Sequence, residues 1–368
     1  SNVDLANGTN GSVDWYQFKI PVDEFKDTYG NISDFTSIRF MRMFLRDFEE
    51  DVVLRFATLD LVRDDWRRYD QSINENETDD IVSEAGFDIT AVNIEENASK
   101  EPVNYILPPG IDRVVDPSNP QLIQLNEQAI LLKVTDLEDG KGKGAYKTLN
   151  MDIRKYGKFK MDVHAEEIEG YSVRDEEVNV FVRLGSDYQD NYYEYEIPMR
   201  LTPAGLYNGD IEEDRLAVWP DENRFDFKLR LFQTIKQLRN DAVRGTNAKY
   251  SDIYDLTVGD LSNDADPQHQ NHIVRIKGNP NLANIRTVMM GVKNPTNDAT
   301  GMDDHQLKSV EVWLNEMRLT DFDEDGGWAA NLRVTTKLAD FGTVTWAGSK
   351  ITSGFGGIED GVNDRYKD

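Results

Sequence analysis

The run Asp321-Phe322-Asp323-Glu324-Asp325-Gly326 sets three carboxylates at alternate positions ahead of a glycine. Alternate carboxylates converge when the chain turns, and oxygen ligands at that spacing suit a hard cation such as Ca²⁺. A full EF-hand loop needs a bidentate Glu at its twelfth position, which here is Leu332 and cannot ligate. The segment is therefore a looser calcium loop built on Asp321, Asp323 and Asp325, or an acidic turn between two elements. His269 and His272 stand three apart in a polar stretch with Asp264 and Asp266, a second metal candidate set against an ordinary polar loop.

Other chemistries find less footing. Lys141-Gly142-Lys143-Gly144 lacks the spacing of a phosphate-binding loop and reads as a hairpin tip. There is no G-x-S-x-G elbow, and 68 Asp and Glu residues are too many for one pair to stand out as a glycosidase acid and base. Trp15, Tyr16, Tyr192, Tyr193 and Tyr195 could form a sugar-stacking platform, but alternate strand positions send some of them to the core. No residue is assigned a catalytic role, and calcium is the one cofactor the residues suggest.

Composition narrows the partners. The 41 Lys and Arg against 68 Asp and Glu give a net charge of -27, which repels nucleic-acid phosphates and anionic lipid headgroups. The absence of Cys excludes disulfides and thiolate chemistry and suits a bacterial envelope protein. No run of about 18 apolar residues marks a membrane helix. The opening Ser1-Asn2, without an initiator Met, suggests a piece of a longer protein.

The elements that must position these residues are strands. Phe159, Met161, Val163 and Ala165 alternate, as do Val178, Val180, Val182 and Leu184, and Tyr193, Tyr195 and Ile197. Period-two spacing puts each set on one face of a half-buried strand. One helix is expected, at about 222–243, although Phe225-Asp226-Phe227-Lys228-Leu229 also alternates like a strand.

Three blocks recur in order. Trp15-Tyr16-Gln17-Phe18-Lys19-Ile20-Pro21 matches Tyr192-Tyr193-Glu194-Tyr195-Glu196-Ile197-Pro198, and Thr36-Ser37-Ile38-Arg39 matches Ala283-Asn284-Ile285-Arg286. A strand with one phase shift follows each: Leu54 and Phe56 then Leu59 and Leu61; Val310, Val312 and Leu314 then Met317 and Leu319. A phase shift within a strand predicts a β-bulge. The fold expected is mainly β, with tandem antiparallel, jelly-roll-like sandwich modules. Residues 1–69 would be the C-terminal half of a first, incomplete module, 70–120 a linker and connector, and 121–322 a complete second module. Residues 323–368 would hold amphipathic strands and a tail. There Leu332, Val334, Thr336 and Leu338 alternate, Asp340-Phe341-Gly342 turns the chain, and Val344, Trp346 and Gly348 follow. That pattern fits a membrane-barrel hairpin or an ordinary surface hairpin.

Val103-Asn104-Tyr105-Ile106-Leu107-Pro108-Pro109-Gly110-Ile111, the run from Ser309 to Phe322 continuing through Gly326-Gly327-Trp328-Ala329-Ala330, and Arg39-Phe40-Met41-Arg42-Met43 with Leu54-Arg55-Phe56-Ala57 carry a resemblance. Together they resemble the giant outer-membrane translocons of the Bacteroidetes type IX secretion system, the SprA/Sov family. The resemblance implies soluble sandwich modules inserted between the strands of a very large barrel, with the 332–348 hairpin a cut piece of that barrel. It implies no catalytic residues. It implies an outer-membrane location as an extracellular cap or a periplasmic plug, and membrane contact only through the parent barrel. Its partners would be other secretion components, including small outer-membrane barrel proteins, and secreted cargo. The leading expectation is thus a structural, non-enzymatic part of a protein-export channel. A carbohydrate-binding surface sandwich is the alternative, and a polysaccharide-active enzyme a weaker third.

Overall fold

Apolar residues at every second position make strands that can bury one face, and most of this chain follows that rule. The computed structural model describes residues 2–4, 10–12, 42–44, 46, 48, 56, 66–74, 81–113, 124, 126–168, 170–245, 249–261, 266–297, 304–323, 327–352 and 355–356. Two compact units, Ser1–Val62 and Arg63–Asp368, divide the chain. In the first, β1 (Asn2–Asp4) pairs antiparallel with β2 (Asn10–Ser12). The first copies of the repeated blocks, at 15–21 and 36–39, and with them the incomplete first module, lie outside the described residues.

The second unit holds β3 (Arg67–Arg68), β4 (Gly86–Asn93), β5 (Gln128–Leu137), β6 (Gly142–Met151), β7 (Tyr156–Glu167), β8 (Asn179–Gly185), β9 (Tyr192–Pro198), β10 (Phe225–Lys228), β11 (Tyr254–Thr257), β12 (Ile273–Lys277), β13 (Ile285–Lys293) and β14 (Lys308–Phe322). They form a five-stranded sheet ordered β10-β7-β14-β5-β4 and a seven-stranded sheet ordered β11-β12-β9-β8-β13-β6-β3. Every pairing within them is antiparallel.

One core joins the two sheets. Phe159, Met161, Val163, Ala165, Leu132, Val134, Val310 and Val312 from the five-stranded sheet meet Val180, Val182, Tyr193, Tyr195, Val274, Val288 and Met290 from the seven-stranded sheet. Each fully buried side chain of this size contributes about 1.5–3 kcal/mol over its exposed state. The three predicted alternating sets all lie in this core. The mainly-β expectation therefore holds, with sheets of seven and five strands and, among the described residues, no closed barrel.

The predicted bulge is also present. Asn315 faces Asp162 across the β14–β7 ladder, but Arg318 faces Lys160, so one extra residue is inserted, and Glu316 takes φ 48° to accommodate it.

Three expectations need correcting. The helix at 222–243 is two elements. Phe225 and Phe227 are drawn into strand β10 beside β7, where the Phe227 ring stacks on Tyr195 at 4.0 Å, and α3 (Arg230–Gly245) starts only after Leu229. Nor is it the one helix: α1 (Ile94–Asn97), α2 (Glu212–Val218) and α4 (Val258–Leu261) are present as well. The Lys141–Gly144 stretch is no hairpin tip. The chain turns at Asp139-Gly140, with Gly140 at φ 67°, and passes from β5 in one sheet to β6 in the other; Gly142 and Gly144 belong to β6.

The 70–120 stretch, expected as linker and connector, supplies strand β4, eight residues paired in register with β5. It also supplies a buried strap, Val103, Tyr105, Ile106 and Leu107, laid on the outer face of the five-stranded sheet. Beyond β14, β15 (Ala329–Leu338) and β16 (Gly342–Ile351) pair with each other in a two-stranded sheet of their own.

Candidate functional site

Both sheets bury charge on the faces turned away from the shared core. On the seven-stranded sheet, Glu194 and Glu196 of β9 alternate with the core residues Tyr193 and Tyr195, so they point outward, yet both are fully buried. Lys293 of β13 reaches both carboxylates, with Nζ 2.6 Å from Glu194 Oε1 and 2.6 Å from Glu196 Oε2. Arg183 of β8 donates to Glu194 from Nε at 2.9 Å and Nη2 at 2.7 Å. Arg275 of β12 donates to Glu194 at 3.0 Å and also pairs with Glu196, whose Oε1 accepts from Asn179 Nδ2 at 2.6 Å.

Burial alone would raise these carboxyls. For Glu194, Lys293, Arg183 and Arg275 outweigh burial and hold the group well below the usual carboxylate range. Glu196 is held down by Arg275 and Lys293 against burial and against its neighbour Glu194. Aromatic faces complete the cluster: the Arg183 guanidinium lies 3.8 Å from the Tyr192 ring centre, and Lys293 Nζ 4.9 Å from that of Phe181. Both carboxylates stay ionised, so neither is a general acid; the cluster locks four strands to one another.

On the five-stranded sheet the strap covers a mixed cluster. Trp313 is fully buried, with Tyr105 at 5.5 Å and Trp219 at 6.0 Å between ring centres. Asn315 Nδ2 donates to Tyr105 Oη at 3.1 Å, and Trp219 Nε1 donates to the Ile106 carbonyl at 2.9 Å. His164 stacks on Trp313 at 3.8 Å, and its Nδ1 lies 2.8 Å from the Val218 carbonyl. His164 Nε2 faces Glu166 Oε2 at 3.7 Å, beyond hydrogen-bond reach, and Lys100 from the strap pairs with both Glu166 and Glu311. The two long motifs quoted above for the resemblance thus meet: one is the strap, the other the strand beneath it.

Among the described residues, the predicted site residues do not gather into a metal centre, and of the calcium-loop trio only Asp321 and Asp323 are described. Asp321, next to last in β14, takes φ 56°, and the Asp323 amide donates to the Lys155 carbonyl at 2.7 Å; Asp325 lies outside the described residues. Among the described residues, no group of three His, Asp or Glu side chains could hold a metal ion. His269 stacks on His272 at 4.6 Å, but His272 is buried with its Nδ1 2.9 Å from Tyr195 Oη, and burial and His269 push its pKa down to about 3. The tyrosines form no platform: Tyr192, Tyr193 and Tyr195 are all buried, Tyr193 stacking on Phe232 at 4.9 Å. Trp15 and Tyr16 lie outside the described residues.

The β15–β16 hairpin is the opposite of these covered faces. Val334 faces Trp346, Thr336 faces Val344 and Leu332 faces Gly348, so one face is apolar. The other carries Asn331, Arg333, Thr335 and Lys337 against Ser349, Ala347, Thr345 and Thr343. Leu332 is 52% exposed and Trp346 59%, so none of the described residues covers the apolar face.

No helix among the described residues is long and apolar enough to cross a membrane, which says nothing about strands. No curated protein matches the chain significantly. The family model SprA_N, described as motility related/secretion protein, matches residues 1–368. Matched over its whole length, this β-rich chain with an amphipathic hairpin belongs to the SprA_N family of motility and secretion proteins.

Proposed function

We propose that the chain is a structural, non-enzymatic region of a protein-export channel of the bacterial outer membrane, the type IX secretion translocon. The observation that carries this reading is the β15–β16 hairpin. Its strands are ten residues each, the about 9–11 residues that a tilted strand needs to cross the hydrocarbon core. One face is apolar and the other polar, as lipid-facing and lumen-facing residues of a barrel alternate. Its open edges would be paired by neighbouring barrel strands in the intact protein, since unpaired backbone groups are costly in lipid.

The two-sheet body is then a rigid module beside the channel, shaping or closing its opening as a cap or plug. The charges buried on the outer faces of its sheets are locked in networks rather than poised for chemistry. The acidic exterior would meet secreted cargo, other secretion components and small outer-membrane barrel proteins.

Labelling tests the reading. The chain has no cysteine, so Val344→Cys and Thr345→Cys place single thiols in it on opposite faces of the hairpin. In intact outer membranes, the thiol at position 344 is expected to react with a lipid-phase reagent and resist an aqueous one, and that at 345 to do the reverse. Equal aqueous reactivity at both positions would rule out a membrane hairpin.

A further inference from the structure

Along α3 lies a cationic groove on a strongly acidic chain. Two contiguous clefts, about 430 and 350 Å³, share Arg154, Gln233 and Leu282. The first is also lined by Lys236 and Arg244, the second by Lys158, Lys228 and Arg230. Six cations thus line the pair of clefts against two carboxylates, Asp241 and Asp321, whereas in the whole chain acids outnumber bases 68 to 41.

Some of that positive charge is already neutralised. Arg154 pairs with Asp152 at 2.8 Å, Arg244 with Asp241 at 3.3 Å and Lys158 with Asp226 at 3.4 Å. Lys228 and Arg230 are exposed and form no ion pair among the described residues. Among the described residues, Lys236 Nζ donates only to the Pro280 carbonyl, at 2.6 Å. One helical turn on, Arg239 is 1% exposed; it donates to the carbonyls of Gly278 at 2.8 Å and Tyr250 at 3.4 Å, and among the described residues it has no carboxylate partner and its Nη2 no hydrogen-bond partner. Burial lowers the pKa of both Lys236 and Arg239, and the Arg239 charge lowers that of Lys236 further. This end of the fold therefore carries uncompensated positive charge.

The shape of the groove says what kind of anion fits. Gln233, Gln237, Asn240 and Arg244 all line the first cleft and follow one stripe of α3. At 1.5 Å per residue, that stripe runs about 16 Å, the length of about five residues of extended chain. Amide side chains both donate and accept, which is what a peptide backbone needs, and cations at intervals suit carboxylates. A small anion would engage only one cation cluster, and a membrane surface would meet a convex face rather than a furrow.

The geometry points to a binding groove for an acidic, extended segment of a partner polypeptide. Its backbone lies along the amides of α3, and its carboxylates meet Lys236 at one end and Lys228 and Arg230 at the other. This site does not depend on the channel reading, and either can fail alone.

The test is fluorescence anisotropy of the 368-residue chain with a labelled ten-residue peptide of alternating Glu and Ser, and with its Gln and Ser counterpart. The Glu peptide is expected to bind and to weaken steeply with salt, and the Gln peptide to bind at least roughly tenfold more weakly. Lys228→Glu with Arg230→Glu, both exposed, should abolish most of the binding without changing the melting temperature. Arg333→Glu with Lys337→Glu in the hairpin should leave binding unchanged. The proposal is overturned by equal binding of the two peptides or by indifference to the groove reversal. Full displacement by a few millimolar inorganic phosphate, or binding of anionic vesicles in place of the peptide, would overturn it too.

Discussion

Lys293→Met removes one ammonium and keeps the length of the side chain. In the native structure that ammonium bonds two carboxylates at 2.6 Å each, and all three groups are buried. Without it, two ionised carboxylates share Arg183 and Arg275, and the Arg183 contact reaches only Glu194. Breaking a buried pair by removing one partner costs about 3–5 kcal/mol. For a unit of about 300 residues, with an unfolding entropy near 2.1 cal/mol/K per residue, this is a drop in melting temperature of roughly 5–8 °C.

The pH dependence gives a sharper signature. Glu194 and Glu196 have folded-state pKa values depressed below the unfolded value. Their contribution is fully present above the unfolded carboxylate pKa of about 4.3 and is lost as pH falls through the folded values. The variant, whose carboxylates are less depressed, should lose less on acidification, so the gap between the two proteins is largest near neutral pH and narrows below about pH 4. Thermal unfolding from pH 7 to pH 3, followed by circular dichroism, reads both quantities. A variant as stable as the wild type at pH 7, or a gap that widens on acidification, would mean that Lys293 does not hold the two carboxylates in the folded state.

Four further outcomes are expected. Tyr105→Phe removes the acceptor of the Asn315 amide and should cost about 1 kcal/mol, whereas Trp313→Ala, which empties the space under the strap, should cost about 3–5 kcal/mol; denaturant titration separates the two. His272 is held neutral, with a pKa of about 3, while an unfolded His titrates near 6.5, so below that pH the unfolded state binds the extra proton and stability falls with acid; His272→Asn should flatten a slope of up to about 1.4 kcal/mol per pH unit between pH 6 and pH 4.5. Glu316→Gly relieves a side chain held at φ 48° and should stabilise by up to about 1 kcal/mol, seen as a raised denaturant midpoint. Millimolar calcium should raise the melting temperature of the wild type by a few degrees, but not that of Asp321→Asn with Asp323→Asn; equal shifts would place the ion elsewhere, and none would leave an acidic turn.

Period-two patterning made the strands legible because burial of one face is a local property of the sequence. Val163, Val182 and Tyr195 could be assigned to a core without knowing what they would face. The bulge was legible for the same reason: the alternation slips by one between Leu314 and Met317. At 222–243, local pattern was ambiguous and tertiary packing decided. Phe225 and Phe227 gain the rings of Phe159 and Tyr195 by joining the sheet, which a helix could not offer them.

The charge networks were not legible. Glu194 and Glu196 read as the solvent face of a half-buried strand, and their cations come from residues up to 99 positions away. The one local hint is that strand β8 puts Arg183 between two valine and leucine core positions. The strap was missed for a related reason. Val103 to Ile111 has no period and is rich in turn residues, and it is buried because Trp313 and Leu131 leave an apolar face on the outside of the sheet. Spacing alone could not decide between a calcium loop and an acidic turn at Asp321, Asp323 and Asp325, since alternate carboxylates converge only where the backbone turns, and Asp321 still lies within β14.

The central claim is that this chain is part of the apparatus by which proteins leave the cell. Deleting its gene in the source organism and comparing the secreted proteome with wild type tests that most directly. Many unrelated proteins are expected to disappear from the medium and accumulate inside the envelope. Normal secretion, with a defect confined to adhesion or glycan use, would contradict it.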